Sequence, residues 1–193
     1  MGTRAREGPA FSSPGFRVFL IRNDEKPAAA VMAIEIDFRL ARIADAGHLA
    51  AMSREFIESG LGWSWTPARV RKHIHSRDSV VLIAKSGTRI AGFAIMRFGD
   101  EEAHLDLLAV KPIYRREGVG RRLIEWLEDS ALVAGVSIIY LEVRAGNTGA
   151  QRFYENLGYR RIRRLHGYYR GREAAVCMGI DLWEARVSAD HQN

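Results

Sequence analysis

The hydrophobic and polar positions in the first half of the chain predict strands and two helices. Runs rich in strand-forming residues are predicted strands, at 34–40, 79–85, 89–98 and 103–110. Ser86-Gly87-Thr88 separates the second run from the third and is typical of a hairpin turn. Helices are predicted from Asp45 to about Ser59 and again after Thr66-Pro67, where a capping hydroxyl precedes a proline. This half therefore predicts an antiparallel meander with two helices.

The second half predicts helices that alternate with strands. In a helix from about 118 to 134, apolar residues recur at helical spacing, namely Val119, Leu123, Trp126, Leu127 and Ala131. An apolar strand at 137–143 follows, and after it come a helix at 148–157 and strands near 159–165 and 174–181. A helix between two short apolar strands indicates a parallel βαβ crossover.

Domain boundaries follow from where this patterning begins and ends. Residues 1–31 are interrupted by glycine and proline, and only 16–21 are strand-like, so we expect an N-terminal arm that is disordered or adds one short strand. Ordered patterning starts after Met32, which we hypothesise to be the biological start. Residues 32–183 then form one domain, followed by a C-terminal tail of residues 184–193.

Composition and charge narrow the function classes. The chain has 193 residues, 47% of them hydrophobic, and a net charge of +6, so it can bury one core and attract anions. Without a basic block or a nucleic-acid-binding motif, nucleic acid is not expected as the main ligand. Cys177 is the single cysteine, which excludes an internal disulfide and a cysteine-built zinc site, and we interpret it as a small apolar strand residue. No apolar run reaches membrane-helix length and no signal-peptide core is present, so we expect a soluble cytoplasmic protein. We expect it to be a monomer or a homodimer.

Residues 107–122 contain the most informative motif: a strand that passes through a proline turn into a basic, glycine-containing loop and then into a helix. Gly118 and Gly120 lack a Cβ atom, so the backbone can approach a phosphate, and the free N–H groups of the first helical turn point to the same place. Neighbouring arginines add positive charge, and together these features favour a diphosphate ligand. The alternative is a glycine turn with solvated arginines. The spacing fits neither the Walker A pattern nor the GxGxxG fingerprint.

Arg115-x-x-Gly118-x-Gly120 after Leu-Ala-Val-x-Pro resembles the acetyl-CoA signature of the GCN5-related N-acetyltransferases, the GNAT family. Leu-Glu-Val-Arg-Ala-Gly-Asn at 141–147 and Phe-Tyr-Glu-Asn-Leu-Gly-Tyr at 153–159 follow in order and look like the RimI-type ribosomal-protein-alanine N-acetyltransferases. The resemblance spans roughly residues 34–181. It implies an α/β (α+β) GNAT fold, with a mixed, mostly antiparallel sheet of about seven strands, a splayed parallel pair of fourth and fifth strands, and about four helices.

The same resemblance implies how acetyl-CoA binds as co-substrate, without any metal. The strand residues Leu108, Ala109 and Val110 would offer backbone groups to the pantetheine arm, and Asn147 would hydrogen-bond the amide portion of the cofactor. The diphosphate would lie on the loop, whose residues are Arg115, Arg116, Glu117, Gly118, Val119, Gly120 and Arg121.

Two residues are candidates for proton transfer. An acceptor amine must lose a proton before it attacks a thioester. Glu142 is the candidate base because it lies near the C-terminal end of an apolar strand and matches the glutamate that RimI-type enzymes use; the alternative is a structural pair with an arginine such as Arg144. Tyr154 matches the family tyrosine that protonates the leaving thiolate, although its helical face with Phe153 and Leu157 also fits a core position.

Weaker candidates surround this pair. His104 and Asp106 share one face of a strand and are candidates for a second base, and an unpaired N–H group between 107 and 110 is the expected oxyanion donor. His73 and His75 are interpreted as solvated surface residues. Candidates for the border of the acceptor pocket are Glu58, Trp63, Trp65, Tyr168 and Tyr169, the two tryptophans being equally compatible with packing.

Three functions remain open on the sequence alone. The first is acetylation of a peptide α-amine, such as the N-terminus of a ribosomal protein. The second is acetylation of a small amine or antibiotic, which needs the same cofactor motif and a different acceptor pocket. The third is a non-catalytic CoA-binding module, against which the presence of Glu142 and Tyr154 argues.

Overall fold

The structure is a computed structural model that describes residues 35–169 and 171–190. The predicted N-terminal arm, its strand-like stretch at 16–21 and the hypothetical start at Met32 lie outside the described residues. The described chain forms one seven-stranded mixed sheet, as predicted, and its strand order is β1-β2-β3-β4-β5-β7-β6. Its strands are β1 (Asp37–Leu40), β2 (Ser79–Ser86), β3 (Arg89–Phe98), β4 (Glu102–Val110), β5 (Ile138–Arg144), β6 (Arg160–Tyr169) and β7 (Glu173–Asp181).

Five α-helices accompany the sheet in the described part of the chain. They are α1 (Ala46–Phe56), α2 (Pro67–His75), α3 (Val119–Val133), α4 (Thr148–Glu155) and α5 (Leu182–Asp190), the last covering most of the segment expected to be a tail. The predicted cap of α2 is present, since the Thr66 hydroxyl accepts a hydrogen bond from the backbone N–H of Arg69 at 3.3 Å. None of the helices within 35–169 and 171–190 is both long and apolar enough to cross a membrane.

Each face of the sheet carries its own hydrophobic core. On one face, α3 and α4 cover a cluster that includes Leu105, Leu123 and Leu127. On the other face, α1 and α2 cover a second cluster that includes Leu49 and Phe93. Burying one such side chain fully contributes about 1.5–3 kcal/mol, so these two layers supply most of the driving force for folding. The buried face of α3 differs in one position from the prediction: Trp126 is 39% exposed and Ile124 is buried instead.

β4 and β5 form the parallel pair and separate before they end. Their residues pair only from Glu102 opposite Ile138 to Leu105 opposite Leu141, although both strands continue for several residues. The predicted splay is therefore present. It leaves a gap between the C-terminal ends of two neighbouring strands, which is where open α/β sheets bind their ligands.

A β-bulge in β4 lies at the mouth of this gap. Ile95 of β3 opposes Leu107, whereas Met96 opposes Leu105, so Asp106 is an extra residue in the ladder. Consistent with this, Leu105 packs in the core under α3, and Leu107 packs in the core under α1 and α2. In a regular strand, two residues that are two positions apart share one face of the sheet. Because of the bulge, Leu105 and Leu107 lie on opposite faces instead.

Candidate active site

The loop after β4 presents backbone N–H groups at the start of α3. Gly118 precedes the helix with a φ of 71°, in the left-handed region, and no side chain caps this end. The first intrahelical bond runs from the N–H of Arg122 to the carbonyl of Gly118 at 3.0 Å. The N–H groups of residues 119–121 therefore point out of the helix, which is the arrangement that binds phosphate groups.

The side chains of this loop fit a diphosphate. Arg115, Arg116, Glu117 and Arg121 are all exposed around the N–H groups. Val119 is buried in the core and anchors the start of the helix, so it contributes through its backbone only. The loop therefore carries three cationic side chains and one carboxylate. Its net positive charge favours the binding of a negatively charged diphosphate.

The edge of β4 that faces the gap offers further backbone groups. Lys111 N–H donates to the carbonyl of Ala91 in β3 at 2.8 Å, so by the alternation of a strand the N–H groups of Leu108 and Val110 point towards the gap. The carbonyl of Val110 accepts a hydrogen bond from Arg115 Nε at 3.0 Å. Ala109 differs from its neighbours: its side chain is buried in the core under α1 and α2.

A cavity of about 550 Å³ fills the gap between the strands. Leu108, Glu142, Asn147 and Tyr154 are among the residues that line it. Asn147 begins α4, and its side-chain oxygen accepts a hydrogen bond from the N–H of Ala150 at 3.1 Å, which leaves the amide NH₂ group to bind a ligand.

A second cavity of about 360 Å³ lies beside the first, under the segment that joins α1 to α2. Trp65 and Tyr168 are among the residues that line it. The residues that border both cavities are Ile57, Asp106, Leu107, Glu142 and Tyr169. The Glu142 carboxylate is therefore positioned where a ligand in one cavity would meet a ligand in the other.

Glu142 is half-buried and strongly hydrogen-bonded. Its Oε2 atom lies 2.7 Å from His104 Nε2, and the Tyr168 hydroxyl donates a further hydrogen bond. Burial alone would raise the pKa of Glu142, but the hydrogen bonds from these two residues and the charge of His104 outweigh burial and lower the pKa below its ordinary value. The carboxyl group is therefore ionised at neutral pH.

His104 and Asp106 extend this arrangement along β4 to Arg97 in β3. His104 Nδ1 lies 3.0 Å from an oxygen of Asp106, and Arg97 donates to both oxygens of Asp106 at 2.6 and 2.7 Å. The hydrogen bonds to Asp106 and Glu142 raise the pKa of His104 to about 9. Burial opposes ionisation of Asp106, but His104 and Arg97 outweigh it and lower the pKa of Asp106 to about 2.

Tyr154 lies at the opposite side of the gap and is buried among aromatic rings. It contacts Phe153 and Tyr159 edge-on, with ring centroids 5.1 and 5.5 Å away. Burial raises the pKa of Tyr154 well above its ordinary value, so its hydroxyl stays protonated and able to donate. Tyr154 therefore both packs in the core and lines the cavity.

The central part of the sequence matches a family model. Residues 49–159, more than half of the chain, match the model of the acetyltransferase (GNAT) family. The chain belongs to the GNAT family. A protein of Haemophilus ducreyi described as a [ribosomal protein bS18]-alanine N-acetyltransferase is 30% identical over 154 residues, which are 77% of this chain and 97% of that protein.

Two further comparisons concern Escherichia coli. The [ribosomal protein bS18]-alanine N-acetyltransferase of strain K12 is 40% identical over 97 residues, 49% of this chain and 66% of that protein. The match therefore spans slightly less than two thirds of that relative's length. The crystal structure of the E. coli ribosomal-protein-S18-alanine N-acetyltransferase superimposes with a TM-score of 0.67 at 28% identity, covering 77% of this chain and 94% of that one.

Several sequence candidates occupy different positions around this GNAT site. Trp65 is buried and lines the second cavity, whereas Trp63 is 41% exposed and donates from its indole to the Trp65 carbonyl at 3.0 Å. His75 is exposed, as predicted, but the prediction for His73 was wrong. His73 is half-buried because its ring packs against the Trp65 ring, with the ring centroids 4.9 Å apart, and because its Nδ1 atom lies 3.0 Å from the Ser79 hydroxyl oxygen.

Arg97 was missed by the sequence reasoning. A signal existed: it is the one charged residue between Ile90 and Phe98 in an otherwise apolar strand. Its register opposite His104 is set by the β3–β4 pairing, and the contact with Asp106 depends on the bulge. Neither the register nor the bulge can be derived from the residue types alone.

Proposed function

We propose that this protein transfers the acetyl group of acetyl-CoA to a primary amine, and that the amine is the α-amine of a protein N-terminus. The observation that carries the proposal is the position of Glu142 at the junction of the two cavities. The gap cavity would take the thioester, and the second cavity would take the acceptor. Acetyl-CoA supplies the activated acetyl group. The descriptions of the relatives, which name the alanine of a ribosomal protein, support a protein N-terminus as acceptor.

Backbone groups would hold most of the co-substrate. The diphosphate fits the N–H groups of residues 119–121 and the surrounding cations. The pantetheine arm fits beside β4, where Leu108 and Val110 face the gap. The free amide NH₂ of Asn147 would donate to a carbonyl of the arm. The buried side chain of Ala109 limits its part to the shape of the strand.

The proposed reaction removes two protons from the amine nitrogen and delivers one proton to the sulfur. Glu142 accepts a proton from the amine, directly or through one water, and the neutral nitrogen then attacks the thioester carbonyl. The N–H of Leu108 or Val110 stabilises the negative charge that develops on the carbonyl oxygen. As the C–N bond forms and the C–S bond breaks, the nitrogen releases a second proton to solvent. Tyr154 donates its proton to the sulfur and regains one from solvent, and Glu142 releases the proton of the amine to solvent before the next turnover.

The environment of Glu142 favours an α-amine over a lysine. At pH 7 roughly one α-amine in ten is already neutral, because its pKa is about 8, whereas only about one lysine in 2,500 is neutral at a pKa of about 10.4. A carboxylate whose pKa is lowered is a weak base. Such a base suits an acceptor that loses its proton easily.

A peptide panel tests the proposal. Peptides that begin with Ala, Ser or Met would be incubated with acetyl-CoA, and thiol release and the position of the acetyl group would be measured by spectrophotometry and mass spectrometry. The matched control is each peptide with a blocked α-amine and a free lysine. We expect acetylation at the α-amine only. Turnover on small amines without turnover on any peptide would support the antibiotic-type alternative, and CoA binding without turnover would support the non-catalytic one.

A further inference from the structure

Four charged side chains of alternating sign form a continuous hydrogen-bonded series across three strands. Arg97 of β3, Asp106 and His104 of β4 and Glu142 of β5 are joined by contacts of 2.6 to 3.0 Å. Asp106 and Glu142 are the least exposed of the four, at 7% and 15%, whereas His104 is 29% and Arg97 51% exposed. This series ends at Glu142, whose carboxylate lies between the two cavities.

The fold brings these residues together from distant parts of the sequence. Arg97 opposes His104 in the antiparallel β3–β4 ladder, and His104 opposes Tyr140 in the short parallel stretch of β4 and β5. Glu142 lies two residues beyond Tyr140, so it shares the face of His104. The bulge at Asp106 keeps that carboxylate within 3.0 Å of the imidazole.

The geometry determines the protonation state of His104. Its two ring nitrogens each lie within hydrogen-bond distance of a carboxylate oxygen, Nδ1 beside Asp106 and Nε2 beside Glu142. A carboxylate can only accept, so both nitrogens must carry a proton and the ring must be an imidazolium. Arg97 Nη2 lies 3.3 Å from Nδ1 and disfavours that charge, but the two carboxylates are nearer.

We propose that His104 is a positioning residue for acetyl transfer: as an imidazolium clamped between Asp106 and Glu142, it holds the Glu142 carboxylate ionised and aimed at the junction of the two cavities. Asp106 and Arg97 fix the imidazolium in turn. The inference rests on the proposed function, because it gives His104 the task of positioning Glu142, the base of that reaction. His104 does not touch the reacting atoms and acts through Glu142.

Other charged or titratable groups face these four side chains from four further elements. Burial and the nearby Glu142 raise the pKa of both Tyr168 and Tyr169 to about 12. Burial lowers the pKa of His73 on α2 and raises the pKa of Cys177 on β7, so both stay neutral. Arg69 and Glu58 complete the charged lining of the second cavity.

Among the four residues Arg97, Asp106, His104 and Glu142, His104 is therefore the one whose charge changes first as the pH rises above neutral. Its pKa is raised from 6.5 to about 9, so the stability that its contacts contribute is fully present below pH 6.5 and is lost as the pH rises through about 9. Glu142 behaves in the opposite sense: the ionised form is favoured by the clamp, and removing the clamp raises the pH at which the carboxylate forms.

The experiment compares His104→Gln and His104→Ala with wild type. Gln keeps one neutral donor near Glu142, and Ala keeps none. We expect the acidic limb of the kcat/KM profile to move up by about one pH unit in both variants, since a charge-assisted hydrogen bond is lost. At pH 7.5 kcat should fall about threefold in His104→Gln and about tenfold or more in His104→Ala, with the Kd for CoA unchanged. The exposed His75→Gln variant is the matched control and should follow wild type.

A second measurement does not depend on turnover. In ¹⁵N NMR of the wild type, both ring nitrogens of His104 should stay protonated up to about pH 9. In Glu142→Gln the midpoint should fall by one unit or more. A His104 midpoint near 6.5, or an unmoved acidic limb in an active His104→Gln, would overturn the inference and leave the proposed function intact. A wild type that acetylates no amine would overturn the proposed function and the role of His104 with it.

Discussion

The two sides of the gap between β4 and β5 are built differently. The cofactor side consists mainly of consecutive residues, from the unpaired edge of β4 through the turn at Gly118 into α3, with Asn147 added from the start of α4, and it offers mainly backbone N–H groups. The acceptor side consists of side chains from separate elements; His104 and Glu142, for example, are 38 positions apart in the chain. The cofactor side is thus built mostly from neighbouring residues, whereas the acceptor side depends on how the fold brings distant residues together.

This difference predicts how each side responds to substitution. Backbone N–H groups survive a change of side chain, so the cofactor side should tolerate most substitutions and fail mainly where the backbone needs glycine. On the acceptor side, the side chains themselves carry the proposed chemistry, so the loss of the one that takes the proton, Glu142, should show directly in kcat. The predictions below are ordered by the size of the expected kinetic effect, first on kcat and then on substrate affinity.

The largest effect is expected from Glu142→Gln. The amide keeps the size of the side chain and cannot accept the amine proton, so kcat should fall by about 10²–10³-fold, within the range for loss of a general base. Thiol release measures kcat, and calorimetry should show the same Kd for acetyl-CoA as wild type. Glu155→Gln, an exposed glutamate paired with Arg161, is the control and should leave both unchanged. If Glu142→Gln kept wild-type turnover, the carboxylate would have only a structural role.

The same difference explains what could be read from the sequence. The seven strands, the capped α2 and the glycine turn at Gly118 are determined by neighbouring residues, and all of them were predicted. The junction at Glu142 depends on where β4 leaves β5 and on the extra residue Asp106 in the ladder, and pairing register is not a local property. His104 and Asp106 were therefore identified as candidates without their connection to Glu142, and Arg97 was missed.

Tyr154→Phe should lower kcat about 10- to 100-fold. The ring and its packing remain, while the hydroxyl proton for the leaving sulfur is lost; a thiolate leaves readily, so the effect is smaller than that of Glu142→Gln. Tyr159→Phe is the matched control, because Tyr159 belongs to the same aromatic cluster. Its hydroxyl donates to Glu128 at 3.0 Å, so this variant should lose about 1 kcal/mol of stability and keep its kcat. Equal kcat losses in the two variants would assign both tyrosines to packing.

Gly118→Ala should weaken acetyl-CoA binding about fivefold, with kcat at saturation nearly unchanged. Gly118 has a φ of 71°, and a Cβ there meets no atom within 4 Å, so the cost is backbone strain of about 1–2 kcal/mol, whose relief rotates the N–H groups away from the diphosphate. Gly135→Ala, with a φ of 83° and the same open surroundings, provides a matched control at the other end of α3. Both variants should melt at similarly lowered temperatures. An unchanged Kd in Gly118→Ala would remove the turn from the binding site.

The smallest effect on turnover is expected from Glu58→Gln, which tests the acceptor side through its scaffold. The buried Glu58 carboxylate accepts from the N–H and hydroxyl of Ser64, both at 2.6 Å, and from the Trp65 N–H and the Ser53 hydroxyl, both at 3.2 Å. An amide cannot accept all four bonds, so the wall of the second cavity should loosen and stability should fall by about 1.5–3 kcal/mol.

We therefore expect the KM for the peptide acceptor to rise about threefold in Glu58→Gln, while kcat and the Kd for acetyl-CoA stay at wild-type values. The exposed Glu55→Gln on α1 controls for the loss of a charge nearby. Peptide titrations at saturating acetyl-CoA separate the two substrates. A change in acetyl-CoA affinity with an unchanged acceptor KM would reverse the assignment of the two cavities, since the segment between α1 and α2 would then belong to the cofactor side.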